Sequence, residues 1–413
     1  MKVKNNYNEC ITNFACSIEK YFGLTPKHNT LSYIDKLLEE KKPENVVVIL
    51  FDGLGSRILD RTLEEDSFLR KHKLKEITTV FPATTIAATT SMQTGLNPSE
   101  HGYLGWNVYI SPIDKVITLY LESEKGKITK DEDFLKIKDK FYKFKSIPEQ
   151  IEEQGLGQGI ELYPFQKTIY NGLDDMLEQI YNCTKEKGKK YIYAYDTEPD
   201  HTMHDYGPDS IEAKRLIEER NTKIEELCKN LKNTILFIVA DHGHKKVEHI
   251  FLNQYKDLLD TLKITTSIEQ RATSFHIKEG KKEEFKRLFD KYFGKYFKLY
   301  TKEEIINDNL FGPGEYHSLF TDNLGDFLAI AEDSNKCFIT DGDDVLVSQH
   351  AGYTDDEIYI PLIVIDKTCW HKKKRVLSWS QSNKERSGKY EKFIYKQKKT
   401  IKQKIYCSRS GNI

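Results

Sequence analysis

Apolar residues in this chain gather into short unbroken runs that stop at turn residues. The clearest are NVVVILFDG (45–53), KYIYAYD (190–196), NTILFIVADHG (233–243) and PLIVID (361–366), with EITTVFP (76–82) stopped by Pro82. Runs of this length, rich in β-branched and aromatic residues, predict strands buried on both faces, as in a parallel sheet. Helical spacing fills the gaps. Residues 5–40 carry apolar positions at mixed three and four spacing. TIAATTSMQTG (85–95) reads as a short helix closed by Gly95, and 147–155 and 170–187 read as amphipathic helices. Strands alternating with helices predict an α/β fold: a mostly parallel central sheet flanked by helices.

Two stretches break the pattern. Residues 108–145 alternate briefly (VITLYL) and then turn lysine-rich, which predicts a hairpin and a surface excursion. Residues 270–335 read as strand, helix, strand (ATSFHIK, EEFKRLFDKYF, FLAIAED), a small α+β unit. The expected organisation is a catalytic core over 1–249 and 346–368, an inserted α+β cap over 250–345, and a tail over 369–413. No repeat of solenoid period occurs.

Composition narrows the picture only a little. The 413 residues suffice for one large α/β domain with a cap, or for two domains. Hydrophobic content is 38% and net charge is −1, so whole-chain charge points to no particular partner. The tail is rich in Lys and Arg and nearly free of acids, which predicts a solvated, poorly ordered extension. Charge alone is weak ground for a nucleic-acid contact. The seven cysteines are scattered without a C-x-x-C pair and read as free thiols in a reducing compartment. No apolar stretch follows the opening MKVKNNYNECITNF, and none approaches the roughly 18 residues needed to span a bilayer. The expectation is a cytoplasmic chain without a membrane partner.

Ligand-type side chains stand where the strands stop: Asp52, Thr85, Asp200, His204, Asp241, His242 and His350. Open α/β sheets bind ligands in the crevice beyond the carboxyl ends of their strands. Taken singly, each has a structural alternative. Asp52 sits in an Asp-Gly pair that can simply form a turn. Asp200 and His204, four apart, share one side of a helical turn, with Asp196, His201 and Asp205 as local competitors. Asp241 and His242 are adjacent, and Gly243 permits the sharp turn that sharing an ion requires. His244 can be a ligand, a supporting partner of the ligands or neither, and reads best as the supporting partner. His350 alone would more often be structural. Thr85 begins a helix, where free N–H groups and the dipole favour a phosphate or sulfate. A hydroxyl there, activated by a cation, is a candidate nucleophile. Thr84 is its rival, Thr89 and Thr90 lie one turn further in, and either Thr84 or Thr85 can serve merely as the helix cap. Together, three carboxylates, three imidazoles and a hydroxyl describe a two-metal hydrolase. No P-loop, no Rossmann glycine fingerprint and no G-x-S-x-G elbow occurs, which argues against a P-loop kinase, a dehydrogenase and a serine hydrolase.

In this order, residues 45–366 resemble the alkaline phosphatase superfamily, most closely its type I phosphodiesterase/nucleotide pyrophosphatase branch. VVVILFDG matches at Asp52, and TVFPATTIAATTSMQTGL matches with Thr85 nine residues before Thr94. EPDHTMH matches at Asp200 and His204, DHG at Asp241 and His242, and HAGY at His350. The resemblance implies two divalent ions, zinc or alternatively manganese. Asp52, Thr85, Asp241 and His242 would hold one, and Asp200, His204 and His350 the other. It implies attack by Thr85 on phosphorus, a covalent intermediate, and a small phosphate ester such as a nucleotide as substrate. Asn107, in HGYLGWN, stands one residue beyond the place of a phosphate-binding Asn and is the matching candidate. Ala83-Thr84 departs from the family pattern and admits a different substrate. The alternatives on the same scaffold are a phosphomonoesterase or phosphonate hydrolase, and then a non-catalytic scaffold. No Cys-x-Pro-x-Arg stretch suggests a sulfatase.

Overall fold

The computed structural model describes residues 5–368, apart from 120, 128–136, 138 and 166–167. These fall within one compact unit, Met1–Trp370. The basic tail expected over 369–413 lies outside the described residues.

The apolar runs become the central sheet. Its strands are β1 (Asn45–Phe51), β2 (Lys73–Thr78), β3 (Gln158–Tyr163), β4 (Thr168–Ile169), β5 (Lys190–Asp196), β6 (Thr234–Val239) and β7 (Tyr359–Asp366), in the order β2-β7-β6-β1-β5-β3-β4. β1 pairs in parallel with β5 and β6, and β3 pairs in parallel with β4 and β5. β7 runs antiparallel to β6 and β2. The innermost strands β1, β5 and β6 are buried along their whole length, as unbroken apolar runs require. Helices flank the sheet. Ile11–Phe22 lays Phe14 edge-on to Phe237 of β6 at 5.1 Å between ring centroids.

A second, antiparallel sheet also has seven strands. It runs in the order Lys298–Thr301, Phe327–Ile330, Ala272–Phe275, Ser267–Ile268, Asn107–Ile110, Lys115–Thr118, Ser123–Glu124. The inserted unit and the 108–145 hairpin therefore form one sheet, joined where Ile268 pairs with Asn107. The helix Lys282–Phe293 covers part of it. Its Phe285, Phe289 and Phe293 lie on one face and meet Phe275 and Phe338. Among the described residues, no helix is long and apolar enough to cross a membrane.

Candidate metal centre and nucleophile

Strand register sets the site. Phe51 lies level with Asp196 of β5, and Leu50 level with Val239 of β6. The residues just past β1 and β6, Asp52 and Asp241, therefore emerge together at the carboxyl edge. Main-chain bonds lock Asp52 in place: its N–H donates to Asp196 O (2.9 Å) and Asp200 N–H donates to Asp52 O (3.0 Å). Gly53 takes φ +73, and its N–H donates to Asp241 Oδ1 at 3.0 Å. A side chain at Gly53 would be strained and would press on Asp200. Gly243 is required by close approach, because a Cβ there would fall 2.0 Å from the carbonyl oxygen of Asp356.

The helix Thr85–Thr94 delivers the hydroxyl. Thr85 Oγ1 lies 3.4 Å from both carboxylate oxygens of Asp52 and 3.2 Å from His242 Nε2. His242 Nε2 is 3.3 Å from Asp52 Oδ1 and 3.7 Å from Asp241 Oδ2. The rival Thr84 points elsewhere and donates to Glu269 Oε1 at 2.7 Å. Thr89 and Thr90 donate back to the carbonyls of Thr85 and Ile86.

The second group gathers beside it. Asp200, His204, His244 and His350 each offer a ligand atom within 4.8 Å of the others, and so do Asp52, Asp200 and His242. His204 Nδ1 pairs with the Ser348 carbonyl at 2.8 Å, which turns Nε2 toward Asp200 Oδ2 at 3.3 Å. The rings of His242 and His350 stack with centroids 3.9 Å apart, so the two groups adjoin. All seven sequence-selected residues except Thr85 come from turns or short helices at one edge of the sheet, and Thr85 meets them from its own helix.

Charge and burial suit the arrangement to cations. Burial, reinforced by Asp200 and Asp241, holds the Asp52 carboxyl well above the usual carboxylate range. Burial also raises Asp241. For Asp200 the cost of burial is outweighed by the imidazoles of His204 and His244, which hold it well below that range. Burial lowers His204 as well, but Asp200 beside it sets the balance at about 9. Burial and the neighbouring His242 push His350 well down. Three carboxylates this close repel one another unless positive charge lies between them. His350 Nδ1 and Asp241 Oδ2 are buried with no hydrogen-bond partner, and such orphans are costly. Two divalent ions fit this donor set. His and carboxylate together suit zinc, and the carboxylate-rich group also admits manganese.

The local competitors are accounted for. Asp196 is paired with Arg220 at 2.6 Å, and His201 and Asp205 are exposed. Asn107 makes its bond within the second sheet. Its Oδ1 accepts from Thr118 Oγ1, its cross-strand partner, at 2.7 Å, and it lines a small polar pocket with Lys125 and Asp343. A cavity of about 410 Å³ opens at Thr85, walled by Tyr103, Phe144, Tyr163, Phe165 and Tyr195. Phe275, Tyr292, Phe297 and Tyr316, four aromatics of the inserted unit with the size to stack a base, line none of it. Phe275 and Phe297 are core. Sequence reading missed Tyr163 because β3 was not recognised. It also missed Tyr195, which ends KYIYAYD and whose hydroxyl donates to Asp52.

Comparison with known proteins places the fold and the family. Human ectonucleotide pyrophosphatase/phosphodiesterase family member 1 is 23% identical over 216 residues, 46% of this chain and 22% of that protein. The chain thus matches about a fifth of that relative's length. Murine ectonucleotide pyrophosphatase/phosphodiesterase 5, solved alone and as an inactive threonine-to-alanine variant in complex with AMP, superposes with a TM-score of 0.57 at 22% identity. The superposition covers 77% of this chain and 87% of that one. The human counterpart gives 0.56 at 20% identity, with the same coverage. The model of the family described as type I phosphodiesterase/nucleotide pyrophosphatase matches residues 46–354, and the chain belongs to that family.

Proposed function

We propose that this chain hydrolyses phosphate diesters or nucleotide pyrophosphate bonds, with Thr85 as nucleophile. The observation that carries the reading is the Thr85 hydroxyl, held 3.2–3.4 Å from His242 and Asp52 at the mouth of an aromatic cavity. Asp52, Asp241, His242 and Thr85 would hold one divalent ion, and Asp200, His204 and His350 the other, with zinc as the proposed metal. When bound, such ions neutralise phosphoryl oxygens and favour the alkoxide of the bound alcohol. Thr85 then attacks phosphorus from a fixed position, the leaving oxygen departs, and water releases the covalent phosphothreonine ester. The helix N-terminus at Thr85 presents N–H groups to the phosphoryl oxygens. The cavity favours a diester over a monoester, because only a diester keeps a second substituent to fill it. Its aromatic walls suit a nucleobase, and AMP in the murine relative supports a nucleotide. The reading includes a cytoplasmic setting, supported by five free cysteines among the described residues and checked by cell fractionation.

The test compares turnover of bis-p-nitrophenyl phosphate with that of p-nitrophenyl phosphate, for the wild type and for Thr85→Ala. The diester is expected to be the better substrate, and Thr85→Ala is expected to lose at least about 1,000-fold in kcat. Preference for the monoester would favour a phosphomonoesterase. Undiminished turnover by Thr85→Ala, with loss in Thr84→Ala, would move the nucleophile by one residue.

A further inference from the structure

We propose that His244 is itself a ligand of the ion at Asp200, His204 and His350, making that group one carboxylate and three imidazoles. The assignment rests on the two-metal reading above and departs from the supporting role its sequence position suggests. It follows from where the protons must be. Ser348 Oγ lies 2.6 Å from the carbonyl oxygen of Met203, which has no proton, so the hydroxyl must donate there. Ser348 Oγ also lies 2.9 Å from His244 Nδ1. With its only proton committed, the hydroxyl can only accept, so His244 carries its proton on Nδ1. In the neutral ring Nε2 then keeps its lone pair, and it points directly at Asp200 Oδ1. A lone pair facing a carboxylate oxygen needs a cation between them: a second ring proton in the bare chain, a metal ion in the loaded one.

The same serine treats His204 in the same way. Its carbonyl oxygen takes the Nδ1 proton of His204 at 2.8 Å and leaves Nε2 facing the other oxygen of Asp200 at 3.3 Å. One residue thereby fixes the tautomer of both imidazoles, which is how metal-binding histidines are oriented. A fourth donor lies alongside: His350 is 9% exposed and its Nδ1 has no partner. The four candidate atoms lie within 4.8 Å of one another. A nitrogen-rich group of this kind suits zinc better than the neighbouring group of two carboxylates, a hydroxyl and one imidazole. The two positions should therefore differ in affinity, with the imidazole-rich one filling first.

The test is zinc binding by the full chain, followed by competition with a chromogenic chelator. The wild type is expected to take up two equivalents, and X-ray absorption at one equivalent should show three imidazoles on the ion. His244→Ala should weaken one equivalent by at least about 100-fold and leave the other in place. Two equivalents of unchanged affinity in His244→Ala, or two imidazoles in the wild-type spectrum, would overturn the assignment alone. A wild type that binds no zinc would overturn the two-metal reading with it. Should His244→Ala fail to fold, Ser348→Ala removes the tautomer lock and keeps the carbonyl. It should weaken the same equivalent by a smaller factor, and unchanged affinity there counts against the proposal.

Discussion

The ligand loops are anchored by a buried ion pair whose loss should be costly. Arg271 and Glu357 are both fully buried. Arg271 Nε and Nη2 donate to the two Glu357 oxygens at 2.6 and 2.9 Å, and its remaining donors reach the carbonyls of Lys336 and Ser334. Glu357 in turn accepts from Gly352 N–H at 2.8 Å and from the Thr354 hydroxyl at 2.7 Å, while its carbonyl accepts from Gly243 N–H at 2.9 Å. Gly352 lies two residues from His350, and Gly243 follows His242, so the pair ties the second sheet to both ligand turns. Arg271→Leu strands a carboxylate in a dry interior. Breaking such a pair costs about 3–5 kcal/mol, whereas replacing both members with apolar residues costs far less. Burial would raise the Glu357 carboxyl, but the Arg271 charge outweighs it and holds it below the usual range. Its contribution is therefore present above the unfolded carboxyl pKa and fades as pH falls. Urea unfolding at pH 7.5 of wild type, both single variants and Arg271→Leu/Glu357→Leu forms a double-mutant cycle. The expected coupling is about 3 kcal/mol, with the double variant more stable than Arg271→Leu. A single variant within about 1 kcal/mol of wild type, or a double variant showing the summed loss, would refute the reasoning.

Three further outcomes are expected. Gly243→Ala forces a Cβ to within 2.0 Å of Asp356 O, and overpacking of this kind costs about 1–3 kcal/mol or more; thermal melting and metal analysis should show lower stability and a lost ion. Burial raises Glu269 to about 7, so the folded state keeps a proton that the unfolded chain releases near 4.5, and stability falls as pH rises through that window by about 3 kcal/mol at most. Glu269→Gln, measured on chelator-stripped protein, should flatten this slope and be the more stable form at pH 8; an unchanged slope would contradict the burial argument. Tyr163→Ala removes a wall of the cavity and should raise KM for a nucleotide diester about tenfold, with a much smaller change for a dialkyl phosphate diester, which has no ring to stack.

What was legible in the sequence was whatever is encoded locally. The apolar runs ending at Asp52 and Asp241 announce buried strands and their carboxyl ends, and Thr85 sits where its helix begins. Thr85 could not be told from Thr84 by sequence. The choice depends on Glu269, 185 residues away, which binds Thr84 and turns it aside. β3 was overlooked because Gly157, Gly159 and Gln158 dilute its apolar content, although Gly159 is required by the approach of Pro148 O to within 2.0 Å of its would-be Cβ. With β3 went Tyr163 and, just beyond the strand, Phe165 of the cavity wall. The joining of Asn107 to Ile268, and of Arg271 to Glu357, has no local signature, because each is a contact between distant segments. The sharp turn at Gly243 is legible locally, whereas its closeness to Asp356 is not, being a contact between distant segments. His244 was visible as a ligand type, but its proton position depends on Ser348, 104 residues further on.

The central claim is that seven side chains, with Thr85 among them, surround two cations. Diffraction from zinc-loaded crystals at the zinc absorption edge tests it most directly. The account predicts two anomalous peaks, one among Asp52, Asp241, His242 and Thr85 Oγ1, the other among Asp200, His204 and His350. A single peak elsewhere, or fully occupied crystals with no peak beside Thr85, would contradict it.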